Sequence, residues 1–379
     1  MGIAARLKHS GAPPAIAALI EKDRCHKSLS DGINHRRGPV SRIPFRLATA
    51  CVTALALGAV SPCRLAAQVT TERGASILVF PKVVADSSHD TVIQLANLSD
   101  NSVDAYCAYL GGAPTALQSL AFHVAVGPQG PVHWAVATGH APTGNETLDV
   151  PAAPASFRGE LLCVQVDASG APFNGDQLAG QATLVDLASG DVAAYTAVGL
   201  QGAGFNDGDE FLCIGGEPSD DCLIGAEYNA CPAEWILAAP ADGAVDPQLG
   251  AGSQLSTRLA VAPCSQNLRD GEPGTVTIHF SVVNELAVHF TGTVSVTGWA
   301  DLSLADLANH VFTREKLGSD YGEMRLTPAA GSGGFMLVAQ TTRSSGGGAP
   351  LSSSAGVNLS HRGGADASDV VVLSMPGAP

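Results

Sequence analysis

The residues best suited to chemistry in this chain lie between Asn206 and Cys231. Asn206-Asp-Gly-Asp-Glu-Phe-Leu-Cys213 is followed by Glu217, Asp220, Asp221-Cys222, Glu227 and Cys231. Carboxylates beside glycine turns suit a hard cation such as calcium, which takes six to eight oxygen ligands. Asp207, Asp209, Glu210, Asp220 and Asp221 are the calcium candidates, and no other cofactor is implied. The EF-hand spacing is absent. The plainer reading is a solvated acidic loop stapled by Cys213, Cys222 and Cys231.

Other chemistry is less well marked. His279 and His289 share the polar side of an alternating segment, but no third metal ligand accompanies them. His133, Trp134 and His140 stand near Glu146 and Asp149 without the spacing of a metalloprotease. The Gly-x-Ser-x-Gly elbow and Ser-x-x-Lys are missing, and no phosphate-cradling glycine loop opens a helix. No catalytic residue is therefore assigned. A glycosidase-like carboxylate pair among the many acids remains one enzymatic alternative.

The elements that must position these residues are strands. Thr275–Thr297 is the clearest case: Ile278, Phe280, Val282, Leu286, Val288, Phe290, Val294 and Val296 take the even positions. Threonines, serines, His279, Glu285 and His289 take odd ones. Such alternation predicts one packed and one wet face, with a turn at Asn284-Glu285. Short β-branched or aromatic runs elsewhere, such as Ser76–Phe80 ending at Pro81, predict further strands. One short helix is expected, with Ser303 as its cap and Leu304, Leu307, Ala308 and Val311 as its apolar stripe.

Ten of the twenty Lys and Arg fall in the first 67 residues. There, Arg42 and Arg46 precede a fourteen-residue apolar run, Leu47–Val60, and then Leu65-Ala66-Ala67. This pattern predicts a secretory signal peptide, the run being shorter than the ~20 residues of a membrane span. Translation beginning near Val40 would leave a leader of ordinary length. Beyond residue 67, ten basic residues face 32 acidic ones, a formal charge of −22. That field repels phosphates and excludes nucleic acid as a partner. Six cysteines remain there: Cys107, Cys163, Cys213, Cys222, Cys231 and Cys264. In an exported chain they predict up to three disulfides, with fifteen pairings open.

The expected organisation is mainly β: two immunoglobulin-like antiparallel β-sandwich domains in tandem, with one short helix. Residues 1–67 are the basic extension and signal peptide, and 75–200 the first sandwich. An acidic Cys-rich segment at 201–237 and an Ala/Gly/Pro/Asp linker at 238–254 lead to the second sandwich at 255–379.

Ser76-Ile-Leu-Val-Phe-Pro-Lys-Val83, Asp90-Thr-Val-Ile-Gln-Leu-Ala-Asn97, Phe157-Arg-Gly-Glu-Leu-Leu-Cys163 and Gly225-Ala-Glu-Tyr-Asn-Ala-Cys-Pro232 resemble a recurring group of uncharacterised exported bacterial β-rich proteins. The resemblance implies a bacterial envelope or extracellular setting and brings no site residues. The expectation is a secreted or periplasmic, non-enzymatic protein, structural or binding an unknown protein or surface partner, without a transmembrane anchor. The alternatives are a secreted hydrolase using carboxylate or metal chemistry and a calcium-dependent adhesion module.

Overall fold

Ser76–Phe80 opens a strand, but the strand does not stop at Pro81. In the computed structural model, β1 runs Ile77–Ala85 and buries all nine residues. The structure describes residues 73–112, 117–141, 150–245, 253–307, 310–344, 353–357, 360–363 and 368–374. Proline gives no N–H to a ladder, so a strand can cross it only at an edge or a bulge. Here the register against the neighbouring strand slips between Phe80 and Val83. The Tyr195 hydroxyl fills the gap, accepting from the Lys82 amide (3.1 Å) and donating to the Lys82 carbonyl (2.5 Å). Trp299 Nε1 donates to the Pro81 carbonyl at 2.6 Å.

The strands that follow are β2 (His89–Asn97), β3 (Val103–Gly111), β4 (Gln118–Val126), β5 (Pro131–Ala135), β6 (Phe157–Val166), β7 (Leu178–Asp186), β8 (Val192–Thr196), β9 (Val198–Leu200) and β10 (Phe211–Ile214). Then come β11 (Pro232–Pro240), β12 (Ala244–Val245), β13 (Gln254–Pro263), β14 (Gln266–Asn267), β15 (Thr275–Asn284), β16 (His289–Thr297) and β17 (Ala300–Ser303). A four-residue helix, α1 (Arg314–Leu317), precedes β18 (Tyr321–Pro328), β19 (Phe335–Ser344), β20 (Ser353–Val357), β21 (Ser360–Gly363) and β22 (Asp369–Val372).

They form five sheets. Sheet I has the order β4-β3-β6-β1-β9 and sheet II the order β5-β2-β7-β8. Sheet III is β16-β15-β18-β11-β21, sheet IV is β12-β13-β19-β20 with β17 also on β13, and sheet V is β10-β22-β14. Two cores hold them. Leu78, Phe80, Cys107, Tyr109, Leu161 and Cys163 of sheet I enter one core with Ile93, Leu95 and Trp134 of sheet II and its flank. The alternate residues Ile77, Val79, Tyr106, Leu110, Leu162 and Val164 enter the other, with Trp235, Leu259, Val261, Phe335 and Leu337.

This overturns the expectation of two tandem immunoglobulin-like sandwiches. Tandem domains would keep separate cores, whereas sheet I is covered on both faces and shares a core with residues beyond 230. The mainly β class holds, as five small sheets packed in a propeller-like grouping. Within the sheets the strand order interleaves instead of running as consecutive meanders.

Three local readings also change. Within the 238–254 stretch, Ala238–Pro240 belong to β11, Ala244–Val245 form β12 and Gln254 opens β13, with Ala241 and Ala244 buried. Small residues there serve close packing. Among the described residues no helix starts at Ser303, which is taken into β17 by pairing with Arg258 of β13. Leu304 and Leu307 are buried as foreseen, but in turns. The helix that does form starts at Thr313, whose hydroxyl accepts from Lys316 N, and ends at Gly318 with φ +69°. The period-two segment pairs as read, except that Leu286 and Val288, expected on its packed face, stand exposed at the hairpin tip. β15 and β16 pair in register from Thr275↔Thr297 to Val283↔His289. Asn284 Oδ1 closes the turn by accepting from Leu286 N and Val288 N. Residues 1–67, where a basic extension and signal peptide are expected, lie outside the described residues.

Candidate functional site

The acidic segment forms a short strand, β10, folded back on residues 225–229. Glu227 is its clasp: Oε1 accepts from Asp207 N (3.0 Å) and Oε2 from Cys213 N (3.1 Å). Asp207 Oδ1 accepts from Asp209 N, and Asp209 Oδ1 from Phe211 N at 2.7 Å. Glu210 forms an ion pair with Arg269, whose guanidinium lies 5.4 Å from the Phe211 ring centroid. Asp220 and Asp221 are exposed in the loop closed by the Cys213–Cys222 disulfide. Burial, then crowding by Asp207 and Glu210, raises the Asp209 carboxyl above its usual range. The five calcium candidates thus share a neighbourhood, but their oxygens are not among the groups that converge tightly enough for a metal.

One such group exists among the described residues. Ligand atoms of Cys231, Cys264 and Asp369, all buried, lie within 4.8 Å of one another. Cys231 and Cys264 are disulfide-bonded, so neither sulfur is a thiolate ready for a metal. Asp369 accepts from Ser265 Oγ (2.6 Å) and from Gly334 N through both oxygens (3.1 and 2.9 Å). Only glycine fits at 334, since an added Cβ would stand 2.4 Å from Cys231 Cβ. Burial raises the Asp369 carboxyl.

Beside this disulfide, Glu160 projects from the middle of β6 into a small cavity lined by Ile77, Leu162, Met336 and Gln266. Gln266 Nε2 donates to Glu160 Oε1, while Gln266 Oε1 has no protein partner. Complete burial pushes the Glu160 carboxyl up to about 8, the hydrogen bond from Gln266 opposing it.

A second polar constellation lines a groove of about 310 Å³. Asp301 Oδ2 receives Lys82 Nζ (3.2 Å) and Arg258 Nε (3.1 Å). Asp86 receives Arg158 Nη2 (2.6 Å) and His89 Nδ1 (3.1 Å). Burial lowers the Lys82 ammonium despite Asp301. Against its own burial cost, the Ser88 amide, Arg158 and His89 hold the Asp86 carboxyl well below the usual carboxylate range. Each cation here has a carboxylate partner, with Lys82 and Arg258 sharing Asp301 and Arg158 and His89 sharing Asp86, so the groove is a polar seam of shared ion pairs.

The histidines are not gathered. His279 faces Thr293 and His289 faces Val283 across the hairpin, which separates them by four residues, roughly 13 Å of strand. His279 lines a shallow hollow with Thr291, Thr293, Arg325 and Glu234. His133 lies in β5 opposite Gln94, and His140 follows in a turn. Glu146 and Asp149 lie outside the described residues. All six cysteines pair: Cys107–Cys163, Cys213–Cys222 and Cys231–Cys264. Glu160, Gln266, Lys82 and Asp301 were not singled out from sequence. The available signal was Glu160 itself, one acid within the apolar run Leu161-Leu-Cys-Val164 and its flank.

No family model matches this chain, and no curated protein matches it. Among solved structures it is similar to a crystal structure of Thermotoga maritima 1070, at 13% identity over 36% of this chain and 98% of that one. The TM-score is 0.23, at which the likeness carries over neither fold nor function.

Proposed function

We propose that this is an exported, non-enzymatic protein of the bacterial envelope or extracellular space that works as a structural or partner-binding body. The observation that carries this reading is the complete pairing of the six cysteines within a strand-built unit. Disulfides form and persist in oxidising compartments. The basic flank and apolar run before Gln68 supply the route. Among the described residues, no helix is long and apolar enough to cross a membrane. The test is expression of the full chain, followed by fractionation, N-terminal sequencing and thiol titration. The expected product is found outside the cytosol, begins at Gln68 and has no free thiol. An unprocessed cytosolic product with reactive cysteines refutes the reading.

The calcium-dependent adhesion reading draws on the crowding around Asp209. The hydrogen bonds and the Arg269 pair already engage these carboxylates, so melting in excess calcium and in chelator is expected to coincide. A site a hundredfold above its dissociation constant would add about 2.7 kcal/mol to stability. A rise in melting temperature of that size on adding calcium would reinstate the module.

A further inference from the structure

β16 is the end strand of sheet III and pairs, among the described residues, on one side only. An edge strand presents a row of unpaired N–H and C=O groups, and proteins blunt such edges with lysine, proline, bulges or short length. β16 has none of these. Its nine residues, His289-Phe-Thr-Gly-Thr-Val-Ser-Val-Thr297, contain no Lys, Arg, Asp, Glu or Pro, and its register with β15 is unbroken. The other sheet edges differ. β5 opens with Pro131 and has five residues, β9 has three, and β12 has two. β4 is as long as β16 but is tethered at its ends, through Leu117 N to Gly271 O and through Asn97 Nδ2 to Val126 O.

We propose that β16 is a docking edge and that its occupant is β16 of a second copy of this chain, added antiparallel to continue sheet III. Two features select a second copy. The first is self-complementarity. Pairing centred on Thr293 sets Thr291 against Ser295 and His289 against Thr297, so all nine residues find a partner. This repeats on a new edge the hydroxyl pairs that β15 and β16 already make, Thr275–Thr297 at 3.0 Å and Thr277–Ser295 at 2.9 Å. On the inner side Phe290 meets Val296 and Gly292 meets Val294. Phe290 and Val294, now only partly buried against the core, would be covered. The second feature is charge. A chain with net charge −15 repels its copies over most of its surface, whereas β16 is an uncharged strip along which two copies can approach. Beside it, Leu286 and Val288 stand 71% and 47% exposed at the hairpin tip. A strand-edge contact is small, so the dimer belongs to the weak, transient class below ~1,200 Å².

The inference deepens the partner-binding reading by naming its surface and occupant. Its test does not depend on where the protein is exported. Purified full-length chain is followed by sedimentation over a concentration series at low and physiological salt. The expected result is a monomer–dimer equilibrium that tightens with salt, because the screening length falls from ~30 Å to ~8 Å between 0.01 and 0.15 M. Thr293→Lys sits on the exposed face and sets two like charges opposite each other, so it is expected to abolish the dimer while leaving the melting temperature unchanged. Amide exchange in β16 should slow with concentration in the parent chain and not in this variant. A monomer under every condition overturns the proposal, as does a dimer that Thr293→Lys leaves intact with β16 exchange unaltered.

Discussion

Glu160→Gln is expected to flatten the fall in stability between about pH 4.5 and 8 and to make the protein more stable than its parent at pH 8. Glu160 is 2% exposed, and burial raises its carboxyl from 4.5 to about 8. In that window the folded chain holds a proton that the unfolded chain releases. Stability therefore decreases as pH rises from the unfolded value towards the folded one, by up to about 1.4 kcal/mol per pH unit. Below the window both states are protonated and the penalty vanishes. Above it, the folded protein carries a buried carboxylate at a cost on the order of 5 kcal/mol. The neutral amide introduced by the substitution has no such window. It can also donate towards Gln266 Oε1, which lacks a protein partner. Urea midpoints from pH 5 to 9 on both proteins provide the check. Parallel profiles would show that Glu160 is not the titrating group.

The second large effect concerns the disulfides. Removing Cys107–Cys163 by paired alanine substitution is expected to cost about 4 kcal/mol, against about 2.6 for Cys213–Cys222. Chain entropy sets the order, since the first bridge closes 56 residues and the second nine. Position adds to it. Cys107 and Cys163 are direct partners in the β3–β6 register, fully buried in the centre of the sheet that both cores share. The nine-residue bridge closes an exposed loop. Against a total of 5–15 kcal/mol for ordinary domains, losing the first bridge removes much of the margin. Equal denaturation midpoints for the two paired variants would refute this ranking.

Two errors of sequence reading have the same origin. Pro81 reads as a strand end because its missing N–H breaks a ladder. The strand continues because the hydroxyl of Tyr195, 113 residues from Lys82, serves both backbone groups of that residue. Ser303 reads as a helix cap because its hydroxyl and the Leu304/Leu307 spacing fit one. Pairing with Arg258 of β13 draws the same residues into strand and turns instead. In each case a partner distant along the chain outweighed a sound local signal.

Local pattern alone determined the β class, the β15–β16 hairpin and its turn at Asn284. Each depends on the alternation of neighbouring side chains or on a turn side chain reaching its own backbone, and such interactions span a few residues. The acidic loop at Cys213 and Cys222 was legible for the same reason, but Cys231, expected to staple it as well, pairs with Cys264 instead. Which cysteines join, that sheet I is covered on both faces, and that Glu160 meets Gln266 in a small cavity were decided only in three dimensions. An apolar strand has the same composition whether one core or two receive its side chains. A carboxyl's proton affinity is fixed by what surrounds it after the chain has packed.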